Sequence, residues 1–167
     1  MRYYIDTEFN ENGYKQPIEL ISLAIIDQYG TSLHVQLSDG WSLDNSSEWV
    51  KTNVIPHLPK LKMTRAELRN AIDTWIGFKA FQNNERSEFW GYYADYDWVL
   101  FCQLLADRMV DLPAYMPHYC NDLVQECKAR GVFLHELKNA VPQMGTAHDA
   151  LDDATTLWAR HEWLLKR

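Results

Sequence analysis

The sequence predicts an α/β fold, one mixed sheet covered by helices on both faces, and three observations carry that prediction. Strand-like segments come first, at 2–9, 18–27 and 31–37. Later strand candidates, at 88–94 and 115–120, alternate with helix-like segments. The second and third strands are joined through "DQYG" (27–30), which suits a tight hairpin turn and makes them antiparallel. Antiparallel neighbours followed by strand–helix alternation imply a single mixed sheet between helical layers.

The first strand contains "YYIDTEF" (3–9), an apolar run carrying Asp6 and Glu8 two positions apart. In a strand, residues i and i+2 share a face, so two like charges lie side by side. "IELISLAIID" (18–27) is rich in Ile and Leu, and "TSLHVQL" (31–37) alternates Leu33, Val35 and Leu37 with polar neighbours. "NSSE" (45–48) places Asn45 at a helix N-cap with Glu48 three residues on, before Trp49, Val50 and Val54. "TRAE" (64–67) repeats the signal before Leu68, Ala71, Ile72, Trp75 and Ile76, which have helical spacing.

"EFWGYYA" (88–94) reads as the fourth strand and "DYDWVLFCQLLADRM" (95–109) as a helix directly after it. Trp98, Phe101, Cys102 and Leu105 form its apolar stripe. "YMPHYC" (115–120) predicts an edge strand, because Pro117 cannot donate to a ladder. "DLVQECKARG" (122–131) is a short helix ended by Gly131. The last helix runs from about Ala147 to Leu165 on Ala150, Leu151, Ala154, Leu157 and Trp158.

The 167 residues fit a single domain, 1–167, with a sizeable core. A net charge of −7 argues against a protein that holds long duplex by neutralising phosphates. It leaves room for an enzyme that grips a few nucleotides through bound metal. Cys102, Cys120 and Cys127 include no CxxC and read as reduced thiols. No apolar run approaches membrane-spanning length and no signal-peptide pattern opens the chain, so the expectation is a soluble, cytoplasmic protein.

Acidic residues stand where a sheet enzyme gathers them: Asp6 and Glu8 on the first strand, Asp95 and Asp97 past the fourth, and Asp149, Asp152 and Asp153 beside His148. Taken singly, most have plain readings. Asp95 reads as the N-cap of its helix, and Asp97, Asp149, Asp152 and Asp153 complement helix starts. Asp6 and Glu8, set among Tyr3, Tyr4, Ile5 and Phe9, are harder to explain without a cation. Carboxylates without a Cys/His cluster suit Mg²⁺ or Mn²⁺. A pair of such ions about 3.5–4 Å apart is the clamp of phosphoryl-transfer nucleases. A histidine beside it can deprotonate the attacking water.

"DTEF" (6–9), "YADYDWVLF" (93–101) and "HDALDD" (148–153) together resemble the DEDDh 3′–5′ exonucleases of the ribonuclease H-like superfamily. That pattern has Asp-x-Glu on the first strand, an Asp at a mid-chain helix start and a C-terminal His-x4-Asp. "DTEF" with "YADYDWVLFCQL" is most similar to the small bacterial and phage branch that includes the mycobacterial-type 3′–5′ exoribonuclease. The resemblance implies a five-stranded mixed sheet with an antiparallel second strand, and two Mg²⁺ ions for which Mn²⁺ can substitute. It implies Asp6, Glu8 and Asp153 as ligands of one metal, Asp6 bridging to the second, Asp97 assisting, and His148 as general base. Phe9 would pack against the terminal base, or serve only as a core aromatic. Helical geometry alone pairs His148 with Asp152, whereas the family spacing selects Asp153. The implied activity is release of nucleoside monophosphates from 3′ ends of single strands, RNA favoured over DNA. A non-catalytic binding module and a ribonuclease H-like endonuclease are the rival readings. A homodimer fits the aromatic surplus and the family's habit.

Overall fold

The structure, a computed structural model, describes residues 1–83 and 86–167. Its centre is a six-stranded sheet of β1 (Arg2–Asn10), β2 (Glu19–Asp27), β3 (Ser32–Leu37), β4 (Lys62–Met63), β5 (Glu88–Gly91) and β6 (Asn121–Asp122), in the order β4-β3-β2-β1-β5-β6. β2 is antiparallel to both β1 and β3, while β4 joins β3, β5 joins β1 and β6 joins β5 in parallel. The second strand therefore runs against the other five. A bulge between Glu8 and Phe9 breaks the β1–β2 register near the end of β1, a device that re-aims side chains where a strand leaves its ladder.

Alternation along β1 feeds two cores. Tyr4 joins Ala24 and Ile26 against Ala150, Ala154, Leu157 and Leu164 of α7 (Ala150–Leu164), with α5 (Leu123–Ala129) and α6 (Leu134–Ala140) alongside. Tyr3 and Ile5 join Leu23, Ile25 and Val35 on the opposite face, against Leu68 and Ile72 of α2 (Arg65–Ile72) and Phe101 and Leu104 of α4 (Asp95–Leu105). Because the side chains of a strand alternate between faces, Asp6 and Glu8 follow Tyr4 towards α7. Among the described residues no helix is long and apolar enough to cross a membrane. Cys102, Cys120 and Cys127 are free thiols.

Several expected boundaries move. The fifth strand is not 115–120: that stretch begins inside a turn in which Met116 N–H donates to Pro113 O (2.8 Å), and Pro117 has no N–H. Pairing resumes at Asn121 and Asp122, opposite Trp90 and Gly91. The strand with no counterpart in the sequence reading, β4 (Lys62–Met63), pairs with Gln36 and Leu37 and is too short to show periodicity. Asn45 does not cap α1 (Glu48–Asn53). It lies in a 3-10 turn, Leu43–Asn45, and donates to Glu19, while Ser47 takes the cap and accepts from Val50 N–H (3.2 Å). Thr64 forms the expected capping box with Glu67. The helical stripe beyond Ile72 passes through a π turn, Asp73–Gly77, into α3 (Phe78–Asn83), and still buries Ile76.

Candidate active site

β1 runs on past the carboxyl end of its parallel neighbour β5, and a cavity of about 740 Å³ opens there, the usual position for a ligand in such sheets. Asp6, Thr7, Glu8 and Phe9 reach it from the end of β1, Asp97 from the first turn of α4, and His148 and Asp153 from the entry to α7. These are all of the residues picked out by the motifs, and they share one wall system. One oxygen or nitrogen of Glu8, His148 and Asp153 each lies within 4.8 Å of the others. His148 thus stands in a cluster of donor atoms close enough to share a cation.

Local backbone chemistry explains the convergence. Asp149 is the N-cap of α7, accepting from Leu151 and Asp152 N–H at 3.0 and 3.3 Å. His148 therefore lies outside the helix, with φ +65°, a left-handed conformation that a non-glycine residue adopts only where its surroundings hold it. Its N–H donates to Asp153 Oδ2 at 2.9 Å. Asp153 also accepts from the Gln143 amide. Asp152 turns away and accepts from Thr146 N–H (2.7 Å), so of the two aspartates left open by spacing, Asp153 is the one at the cavity.

Asp97 is held by Thr7, whose N–H and hydroxyl both donate to its Oδ1. Asp95 is not the cap of α4. The cap position is Ala94, whose N–H is accepted by Asp122 Oδ2 across the neighbouring strand at 2.9 Å, and Asp95 is the exposed first residue of the helix. Phe9 lies edge-on to Tyr96, with ring centroids 5.5 Å apart, at the cavity wall.

Crowded carboxylates in a partly dry site raise one another's pKa. Asp6 is pushed well above the usual carboxylate range by burial and then by Asp97, Glu8, Asp153 and Asp149. Glu8 is pushed up to about 8 by burial, then by Asp153 and Asp97. Asp97 rises to about 6 through burial, restrained by the two hydrogen bonds from Thr7. Asp153 is raised by burial against the opposing hydrogen bonds of His148 and Gln143. Four carboxylates that repel one another when ionised, with an imidazole beside them, fit a hard divalent cation.

The motif reading missed the rest of the cavity. Trp49 packs edge-on to the His148 ring, with centroids 4.8 Å apart. Tyr92, Lys138, Gln143, Thr156, Leu157 and Arg160 also line it. One signal was present: Asp153, Thr156, Leu157 and Arg160 stand at i, i+3, i+4 and i+7, a single helical face.

Residues 1–162 match the family described as the 3′–5′ exoribonuclease Rv2179c-like domain. Similar curated proteins are the 3′–5′ exoribonucleases Rv2179c and MT2234.1 from two strains of Mycobacterium tuberculosis. Each is 32% identical over 158 residues, covering 92% of this chain and 87% of the relative. Among solved structures, that of cell-death related nuclease 4 (CRN-4) is similar with a TM-score of 0.63 at 14% identity, over 99% of this chain and 63% of that one. This likeness is one of fold. The match over nearly the whole chain, on a sheet whose strand ends gather the Asp-x-Glu and His-x4-Asp residues, places the chain in the 3′–5′ exoribonuclease Rv2179c-like family.

Proposed function

We propose that this chain is a metal-dependent 3′–5′ exonuclease that releases nucleoside monophosphates from the 3′ end of single strands, RNA in preference to DNA. The observation that carries the proposal is the convergence of Asp6, Glu8, Asp97, Asp153 and His148 on one cavity. The RNA preference rests on the relatives, which are named exoribonucleases.

Asp6, Glu8, Asp97 and Asp153 would hold two Mg²⁺ ions, with Mn²⁺ as a substitute. Bound there, the ions supply positive charge at the scissile phosphate and an acidified water. The protein's own residues do the remainder. Thr7 fixes Asp97 with two hydrogen bonds, and Gln143 and the His148 N–H fix Asp153. The His148 ring, limited in rotation by the Trp49 edge, takes the proton of the attacking water. Phe9, backed by Tyr96, offers an apolar surface to the terminal base.

The test is a time course on 5′-labelled single-stranded RNA and DNA with Mg²⁺, Mn²⁺ or chelator, alongside His148→Ala and Asp153→Asn. The expected result is a ladder shortened one nucleotide at a time, faster on RNA. It should vanish with chelator and in Asp153→Asn, which removes a metal ligand, and slow by roughly 10²-fold or more in His148→Ala, the scale of lost general-base assistance. Internal cuts would make the protein an endonuclease, and binding without cleavage a module.

A further inference from the structure

At the far end of the same cavity lies a group that the proposed chemistry does not use. Arg160 is 8% exposed and lines the cavity. Its Nε donates to Val141 O at 3.0 Å, and no carboxylate lies within ion-pair distance of it among the described residues. Both Nη groups are left without a hydrogen-bond acceptor among those residues. An arginine keeps its charge at any physiological pH, and with the side chain mostly buried and no counterion beside it, the Nη donors open to the cavity are left for water or an anion. The bond to Val141 docks the end of α6 onto α7, but it uses one of five donors and needs no charge.

The surroundings repeat the point. The Arg160 guanidinium lies 5.7 Å from the centroid of the Tyr92 ring, and Lys138 Nζ lies 5.8 Å from the same centroid. The Tyr92 hydroxyl is buried and has no hydrogen-bond partner among the described residues. Two cations and an unused hydroxyl thus gather around one ring. Arg160 follows Asp153 by seven residues, nearly two full helical turns, so both project from one face of α7, roughly 10 Å apart along its axis. Thr156 and Leu157 line the wall between them. The cavity has an acidic pole suited to cations and a basic pole suited to an anion.

We propose that Arg160 and Lys138, set around the Tyr92 ring, form a subsite for the non-scissile phosphate on the 5′ side of the bond that is cut. This assignment rests on the exonuclease reading, in which the scissile phosphate sits at the acidic pole. The bidentate fork of Arg160 suits a phosphate, and Lys138 adds a mobile charge at the rim. A substrate retaining that second phosphate is then held at two points, which fixes which way the strand enters.

The test uses dinucleosides joined by an uncharged, uncleavable methylphosphonate, with and without a 5′-phosphate, titrated by calorimetry in Mg²⁺. Wild type should bind the 5′-phosphorylated compound roughly 10- to 100-fold tighter, the range expected for charge-assisted hydrogen bonds. In Arg160→Gln that advantage should fall below about threefold, and in Lys138→Gln, at an exposed side chain, it should shrink by at least about threefold. Equal affinity for the two compounds in wild type overturns the subsite, as does an advantage that survives both substitutions. Failure of the exonuclease reading would look different: no stepwise products from wild type, with the binding difference intact.

Discussion

Raising the pH from 6.5 to 8 in chelator should destabilise this protein. The perturbation acts on carboxyl groups that the fold holds protonated. Glu8, with an ordinary value near 4.5, is pushed up to about 8 by burial and by Asp153 and Asp97. Over that interval the folded state keeps a proton that the unfolded state has lost. The associated stabilisation is complete below the unfolded value and disappears as the pH climbs through the folded one. Integrated from 6.5 to 8, one such group accounts for a loss of about 1.5–2 kcal/mol. Asp6, raised well above the carboxylate range, acts with the same sign. The window keeps opposing groups small. His161, pushed down to about 4 by burial, and His34, also held below its ordinary value by burial, add stability mainly as the pH rises towards 6.5, with a small remainder above it. The thiols, pushed up by burial, act with the same sign as Glu8, and in the unfolded chain they titrate near about 8.5. For a chain of this size the midpoint of thermal unfolding should fall by about 3–8 °C. Saturating Mg²⁺ or Mn²⁺ should raise the midpoint at pH 8 and abolish the decline, because cation replaces proton. Melts followed by circular dichroism at half-unit pH steps read this directly. A midpoint that is flat or rises across the window in chelator would refute the electrostatic account of the site.

Other substitutions probe its supports. Thr7→Val removes the hydroxyl donor to Asp97 and should lift that carboxyl further, moving the acid limb of the pH–rate profile upward. Tyr4→Phe removes the buried bond between the Tyr4 hydroxyl and His161 Nδ1 (3.0 Å) and should cost about 1–2 kcal/mol in urea unfolding, with kcat unchanged. Thr64→Ala breaks the capping box of α2, far from the cavity, and should cost about 1 kcal/mol by the same measurement.

The site's acidic half was legible because its chemistry is written in short spacings. Asp6 and Glu8 share a strand face, and the His-x4-Asp run survives because Asp149, by capping α7, leaves His148 outside the helix. The antiparallel second strand followed from a four-residue turn. What stayed hidden depends on tertiary neighbours. Asp95 looked like a cap, but Asp122 on the adjacent strand serves the Ala94 N–H. Asn45 lost its cap to Ser47 because Glu19 claims its side chain. Two-residue strands such as Lys62–Met63 have no period to read. Arg160 and Lys138 belong to no motif in the sequence, and the packing of α6 against α7 brings them to one cavity.

The most direct measurement of the central claim is the first product released from single-stranded RNA labelled at its last internucleotide phosphate, in Mg²⁺, under single-turnover conditions. A labelled nucleoside monophosphate as the earliest product, absent with chelator and in Asp153→Asn, is the predicted result. Labelled oligonucleotides as the earliest product, or label that stays in full-length RNA bound to the wild-type protein, would contradict it.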